Sequence, residues 1–431
     1  MLYNEYLKNK YDYQEQGRLL LLERKHAFLY YKPGKGKTYP CIDAIRDIVA
    51  DRKNKNLSTS VLVLSTADAI KNMWFTEIVP QNIMPEDTVY LSFTAAIQDK
   101  TKIKLLKAIW NIIVVDESHK IKSHNAQISK LVYQLTKKSE YAFGLSGTPR
   151  GNADIDIYCQ FHNMNVSEWG KVPYTRFVEQ CCQLENTYIR GGQCIKKPIG
   201  ILPKYQAGWD RNMMMYTQRV DYVEEDKMPD LNVNKVLINY HPTKQYIDAE
   251  EGIIRINDYE STVTKLAAIV KAQQAANGYL YIADLAQDDV VINKFEDNKK
   301  LEWLENNLTK QSVIVYRFKA DLYAIQEQLI KMNYTFTEDV NTFKAYGADI
   351  LLLQCSRCES FNLQMCKRII FYTLDYSYIK YDQMLHRVWR MGQNENVQID
   401  VLLMKDTVEE KIWRAVKGKE KLANLFMSIK Y

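Results

Sequence analysis

The chain has 431 residues, 46% hydrophobic and 26% charged, with 58 basic against 52 acidic side chains and a formal charge of +6. That apolar content fills two cores of ordinary domain size and excludes a disordered chain. The mild basicity permits a nucleic-acid partner without demanding one. No run of about 18 apolar residues is present, so no membrane span is expected. The polar, mixed start Met1 to Tyr6 does not read as a signal peptide.

Four short apolar runs in the first third read as buried parallel strands: Ala27–Tyr31, Val61–Leu64, Ile112–Val115 and Tyr141–Leu145. Helix-length stretches such as Tyr39–Val49 and Ala67–Ile78 separate them, and this alternation predicts an α/β domain with a parallel sheet. Residues 151–225 are less regular, rich in aromatics, Cys and Met, with a turn-prone Gly191-Gly192. A linker is expected around Glu224 to Pro229. A second α/β pattern follows, with strands at Lys235–Asn239, Ser312–Tyr316, Asp349–Leu353, Arg368–Tyr372 and Gln398–Leu403. A helix-rich insert spans about 243–310, and Val408–Met427 reads as one or two amphipathic helices. The expected division is therefore 1–225 and 226–431.

Eight cysteines in a chain of this length do not suggest a disulfide framework. Cys355-x-x-Cys358 has metal-ligand spacing but lacks a second pair, so buried thiols are the simpler reading.

Lys32-Pro33-Gly34-Lys35-Gly36-Lys37-Thr38 follows the first strand and opens a helix, the context a phosphate-binding loop requires. Gly34, Lys35 and Gly36 let the backbone curl so that N–H groups face phosphate oxygens. Lys37 would reach the β- and γ-phosphates of ATP, and the Thr38 hydroxyl would ligate Mg²⁺. The longer motif wants a small residue where Tyr31 stands, so the match is to the short core; alone, a solvated Gly/Lys turn would read the same way.

Val114-Val115-Asp116-Glu117-Ser118-His119 ends a strand, where acidic side chains project from the carboxyl edge of a sheet. Asp116 suits a water-mediated Mg²⁺ contact, and Glu117 suits polarising the attacking water. Ser146 and Thr148 in Ser146-Gly147-Thr148-Pro149 have hydroxyls that would bond to this acidic turn. In Gln383-Met384-Leu385-His386-Arg387-Val388-Trp389-Arg390-Met391-Gly392-Gln393, Arg387 and Arg390 would share a helix face. Two guanidiniums there can clamp a transferring phosphoryl group, whereas a solvated basic face is the plainer alternative. Trp389 and Met391 are expected to pack.

These motifs together resemble a superfamily 2 helicase, and within it the Swi/Snf family of DNA translocases. That family's last motif, Gln-x-x-x-Arg-x-x-Arg-x-Gly-Gln, is matched at all its fixed positions. Asp-Glu-Ser-His stands where the family usually has Asp-Glu-Ala-His. Asn72-x-Trp74-x-x-Glu77, Asn362-Leu363-Gln364 with Ile369–Tyr372, and Asp406-Thr407-Val408-Glu409-Glu410 resemble further family motifs. Tyr13-Gln14 precedes the phosphate loop as the adenine-reading Gln does in the family. Arg357 to Ser360 replaces the glycine-rich run that lets the family's backbone approach a nucleic-acid phosphate.

The resemblance implies two RecA-like lobes, each a parallel sheet flanked by helices, with an ATP cleft between them. Gln14, Gly34, Lys35, Gly36, Lys37, Thr38 and Asp116 would bind ATP and Mg²⁺. Lys37, Asp116, Glu117, Arg387 and Arg390 would carry the catalysis. The expected partner is DNA, duplex favoured, held through its phosphates by a monomer in a bacterial or infected-host cytoplasm. Replication or repair proteins are possible further partners. Duplex translocation or remodelling leads, a strand-separating helicase for replication or repair is the alternative, and an RNA helicase or an idle binding module trails both.

Overall fold

The computed structural model describes residues 2–147, 149, 154–188, 194–221, 229–256, 259–263, 265–284, 289–296, 298–357, 363–390 and 393–427. Thr148, Gly191, Gly192, Glu224 to Met228, Cys358 to Ser360, Asn362, Met391 and Gly392 lie outside the described residues. The chain divides into two compact units, Met1–Asp226 and Lys227–Tyr431.

The strands of the first unit are β1 (His26–Tyr31), β2 (Val61–Ser65), β3 (Val89–Ser92), β4 (Ile112–Asp116), β5 (Tyr141–Leu145), the hairpin of β6 (Cys182–Tyr188) and β7 (Cys194–Ile201), and β8 (Thr217–Val220). Six of them form one parallel sheet in the order β3-β2-β4-β5-β1-β8. Side chains alternate across it. Phe28, Tyr30, Leu62, Leu64, Ile113 and Val115 enter one core, while Ala27, Leu29, Tyr31, Val63, Val114 and Leu145 enter another. Both faces are therefore covered, which is why these strands read as unbroken apolar runs rather than alternating ones.

The helix Thr38–Asn54 places Pro40 in its first turn, where a missing N–H costs no intrahelical bond. The stretch Ala67–Ile78, expected as one helix, is α-helical only over Ala67–Ala69 and continues as a π-helix over Ile70–Ile78. Thr76 assists the wider turn by donating its hydroxyl to the Lys71 carbonyl at 2.7 Å. Pro80 follows at once and cannot continue an α-helical ladder. The described residues of 154–216 supply four helices around the β6–β7 hairpin. Trp169, Phe177 and Trp209 meet there edge-on or tilted, with centroids 5.7–6.0 Å apart, so these aromatics are core.

The second unit contains β9 (Leu231–Ile238), the hairpins β10 (Ile253–Ile256) with β11 (Tyr259–Thr262) and β12 (Tyr279–Asp284) with β13 (Asp289–Lys294), then β14 (Ser312–Tyr316), β15 (Phe336–Thr337), β16 (Ile350–Gln354), β17 (Arg368–Phe371) and β18 (Val397–Met404). Its parallel sheet runs β15-β16-β14-β17-β18-β9. The insert before β14 is not purely helical, because the two hairpins separate its helices Lys244–Glu251, Lys265–Ala276 and Lys299–Asn307. One helix, Val408–Met427, closes the described chain. It is tied down by a buried ion pair, Lys300 Nζ to Glu409 Oε1 at 2.6 Å; the same ammonium donates to the Tyr372 carbonyl at 2.8 Å. Among the described residues, no helix is long and apolar enough to cross a membrane.

Candidate functional site

In the first unit, β1 ends at Tyr31 and the helix begins at Thr38, so the intervening loop must turn sharply. It does so through Gly34 (φ +88°) and Gly36 (φ +71°), conformations a residue with a Cβ adopts only at a cost. Lys37 holds the N-cap position of that helix, where N–H groups of the first turn and the helix dipole favour an anion. The loop is braced from the helix Asp12–Arg24. Gln14, buried there, donates its amide to the Lys35 carbonyl at 3.3 Å and accepts the Tyr11 N–H at 3.0 Å. The Tyr13 hydroxyl reaches the same Lys35 carbonyl at 3.2 Å, and the Lys35 ammonium lies 5.6 Å from the Tyr13 ring centroid. A Cβ on Gly36 would come within 2.7 Å of the Gln14 amide nitrogen. Tyr31, bulky where the longer motif wants a small residue, is fully buried and donates its hydroxyl to the Tyr13 carbonyl at 3.1 Å. Its size serves the brace.

Asp116 is the last residue of β4, and Glu117 follows in the left-handed region (φ +56°, ψ +50°) at the head of the short 3₁₀ turn Ser118–Ile121. Asp116 Oδ2 accepts from Ser65 Oγ at 3.0 Å and from Trp74 Nε1 at 3.3 Å, while Oδ1 accepts the Glu117 N–H at 3.1 Å. Burial, and then the neighbouring Glu117 charge, push the Asp116 carboxyl above its ordinary range; Lys37 and the two side-chain donors oppose this. The Thr38 hydroxyl lies 4.0 Å from Met73 Sδ. Thr38 and Asp116 thus touch consecutive residues, Met73 and Trp74, of one π-helix. His119 Nδ1 lies 3.2 Å from Glu117 Oε2 and 3.2 Å from Ser146 Oγ, joining the acidic turn to the turn after β5. Ser118 Oγ donates to Gln160 Oε1 at 2.9 Å, and Gln160 Nε2 donates to the Pro149 carbonyl at 2.7 Å.

In the second unit, Arg387 stands on the helix Tyr378–Val388, but Arg390 does not: the helix ends before it, and Trp389 has left helical geometry (φ −86°, ψ +95°). A shared helix face is therefore not what relates the two arginines. The break coincides with the Trp389 indole donating to the Pro229 carbonyl at 2.7 Å. Gln393 holds the preceding segment by donating to the carbonyls of Gln364 (2.8 Å) and Cys366 (2.7 Å), and the Arg387 carbonyl accepts the Leu363 N–H at 3.0 Å. Arg357 is exposed at the end of the short 3₁₀ turn Cys355–Arg357, and Cys355 is buried with its thiol 3.3 Å from the Thr373 carbonyl. The late Glu409-Glu410 pair is structural in its contacts, Glu409 with Lys300 and Glu410 with Lys235 at 2.8 Å.

Sequence reasoning missed Ser65, Tyr11 and Gln160. Ser65 was signalled only as the residue just past an apolar run; Gln160 carried no signal at all.

Residues 80–186 match the model of the SNF2-related domain. A CHD3-type chromatin-remodeling factor of Arabidopsis thaliana is 19% identical over 73% of this chain and 27% of its own length. An uncharacterized ATP-dependent helicase of Bacillus subtilis, YqhH, is 21% identical over 91% of this chain and 74% of its own. Among solved structures, the Sulfolobus solfataricus SWI2/SNF2 ATPase core in complex with dsDNA is matched at 20% identity and a TM-score of 0.40, over 95% of this chain and 91% of that one. The chain spans about a quarter of the length of the first curated relatives it matches, 27% and 23%.

Proposed function

We propose that this chain, similar to the Swi/Snf family of superfamily 2 helicases, is an ATP-hydrolysing motor that moves along duplex DNA. The observation that carries the reading is the buried Asp116–Glu117 pair, with Lys37 acting on it electrostatically and Ser65 and Trp74 fixing one oxygen. Two buried adjacent carboxylates are costly unless a cation or a reaction uses them.

The hard oxygen donors of Asp116 and the Thr38 hydroxyl suit Mg²⁺, which when bound would offset charge on the β- and γ-phosphates of ATP. Gln14 and the Gly34-Lys35-Gly36 backbone orient the nucleotide, and Lys37 neutralises its terminal phosphates. Glu117 polarises the attacking water. Arg387 and Arg390 stabilise charge that develops on the transferring phosphoryl group. DNA is gripped mainly through phosphates, so binding is sequence-independent and falls steeply with salt.

The exposed Arg357, where the resembled family has a glycine-rich phosphate contact, favours a second reading in which single strands are the track and the motor unwinds forks. ATP hydrolysis measured side by side with duplex DNA, single-stranded DNA and RNA separates the two. Strongest stimulation by duplex, with a third strand displaced from a triplex and the duplex left paired, supports translocation. A fork unwound with ATP and a triplex left intact would replace it by the strand-separating reading.

A further inference from the structure

Glu117 occupies a backbone region that a residue with a Cβ enters at a cost, so its neighbours must hold it there. One partner of its side chain is His119. The next residue, Ser118, is fully buried and makes its bond to Gln160, a fully buried side chain that belongs to none of the sequence motifs. Gln160 uses both ends of its amide: Oε1 accepts from Ser118, and Nε2 donates to the Pro149 carbonyl and, at 3.1 Å, to the Asp156 carbonyl of its own helix. The acidic turn and the turn after β5 are thus tied twice, directly by His119–Ser146 and through Ser118–Gln160–Pro149. The second tie exists because residue 118 carries a hydroxyl, where the resembled family usually has alanine.

We propose that Gln160 is a positioning residue for Glu117: it ties Ser118, the residue after Glu117, to the Pro149 carbonyl and so holds the backbone that carries the water-activating carboxylate. The inference rests on the ATPase reading above. A general base must lie within hydrogen-bond reach of its water, and a small displacement is expensive in rate. The relay is wholly buried, so an unmatched end has no solvent to turn to.

The test compares Ser118→Ala, Ser118→Thr, Gln160→Leu and the double variant Ser118→Ala/Gln160→Leu. Readouts are kcat and KM for ATP, with and without duplex DNA, and the melting temperature. Ser118→Ala is expected to lower kcat about five- to tenfold, the loss of roughly one buried hydrogen bond, with KM within twofold. Ser118→Thr keeps a hydroxyl and at least half of the turnover. The double variant regains only the part of the melting temperature lost to an unmatched Ser118 hydroxyl, because the Pro149 carbonyl and the Tyr30 hydroxyl still lack Gln160, and its kcat stays at the level of the worse single variant. Normal kcat in Ser118→Ala, or kcat that returns together with melting temperature in the double variant, would reduce the relay to packing and overturn the proposal. A wild-type chain that does not hydrolyse ATP sinks the ATPase reading and this inference with it. Normal wild-type turnover beside unaffected variants sinks the inference alone.

Discussion

Replacing Gly36 by alanine tests whether the loop after β1 is built around a phosphate. Two effects are separable in the structure. At φ +71° a Cβ costs about 1–2 kcal/mol. The new methyl would also stand 2.7 Å from the Gln14 amide nitrogen, which must swing away and give up its bond to the Lys35 carbonyl, worth about 1 kcal/mol. Neither is large enough to unfold the unit, since the clash is with the far end of a flexible side chain. If ATP binding requires the observed loop shape, the sum of about 2–3 kcal/mol appears as a roughly 30- to 140-fold weaker Kd. Titration calorimetry with a slowly hydrolysed ATP analogue measures it. Gly200→Ala, in the β6–β7 hairpin with the Gln183 side chain 3.9 Å from the added methyl among the described residues, serves as the control and should bind normally. Gly36→Ala binding within threefold of wild type would refute the reasoning, because the strained turn would then not be the shape the nucleotide selects.

Glu117→Gln should bind ATP and Mg²⁺ while hydrolysing poorly, since Asp116 remains; equal losses of affinity and turnover would deny the division of roles. Arg387→Ala and Arg390→Ala should each lower kcat by roughly 10³-fold with smaller effects on nucleotide affinity, and normal hydrolysis by both would remove them from catalysis. Lys300→Met strands the buried Glu409 carboxylate and should destabilise the second unit by about 3–5 kcal/mol, whereas Lys300→Met/Glu409→Leu should recover most of that; chemical denaturation of the two variants gives the comparison. His26 Nδ1 donates to the Met164 carbonyl (2.8 Å), and burial holds its imidazole below its ordinary value of 6.5. The unfolded chain therefore takes up the proton first as pH falls, and the fold loses stability below about pH 6.5. His26→Gln, which retains a donor, should flatten that loss between pH 7 and 5, and a stability difference between the two pH values, measured by urea melts, equal to that of the wild type would rule the residue out.

The elements that sequence reasoning located were those whose physics is local. β2, β4, β5 and β14 announce themselves because burial on both faces demands unbroken apolar runs. The edge strands Val89–Ser92, Thr217–Val220 and Phe336–Thr337 escaped notice, being short and only partly buried. The hairpins within the insert before β14 were hidden for a different reason: in Ile253–Ile256 and Asp289–Lys294 polar and apolar residues mix over spans too short to show a period. The π-helix at Ile70–Ile78 has an amphipathic sequence that fits an α-helix equally well. Its choice follows from tertiary demands, chiefly the Trp74 indole reaching Asp116.

The same distinction governs the site. Spacing identifies residues that act through the backbone they sit on: glycines where φ must be positive, a lysine at a helix N-terminus, acids at a strand's carboxyl end. It does not identify the residues that hold these in place. Ser65 reaches Asp116 from another strand, Tyr13 and Gln14 reach the loop after β1 from the preceding helix, and Gln160 reaches Ser118 across 42 positions of sequence. Such contacts depend on which strands become neighbours, and the sheet order β2-β4-β5-β1 is decided by the fold as a whole. Tyr31 shows how the two levels interact. From the motif alone its bulk is a mismatch, yet in the fold its hydroxyl secures the Tyr13 carbonyl, and Tyr13 and Gln14 together secure the loop. A departure from a motif is thus best judged by what the displaced atoms touch, and both Tyr31 and Ser118 touch the machinery they seemed to interrupt.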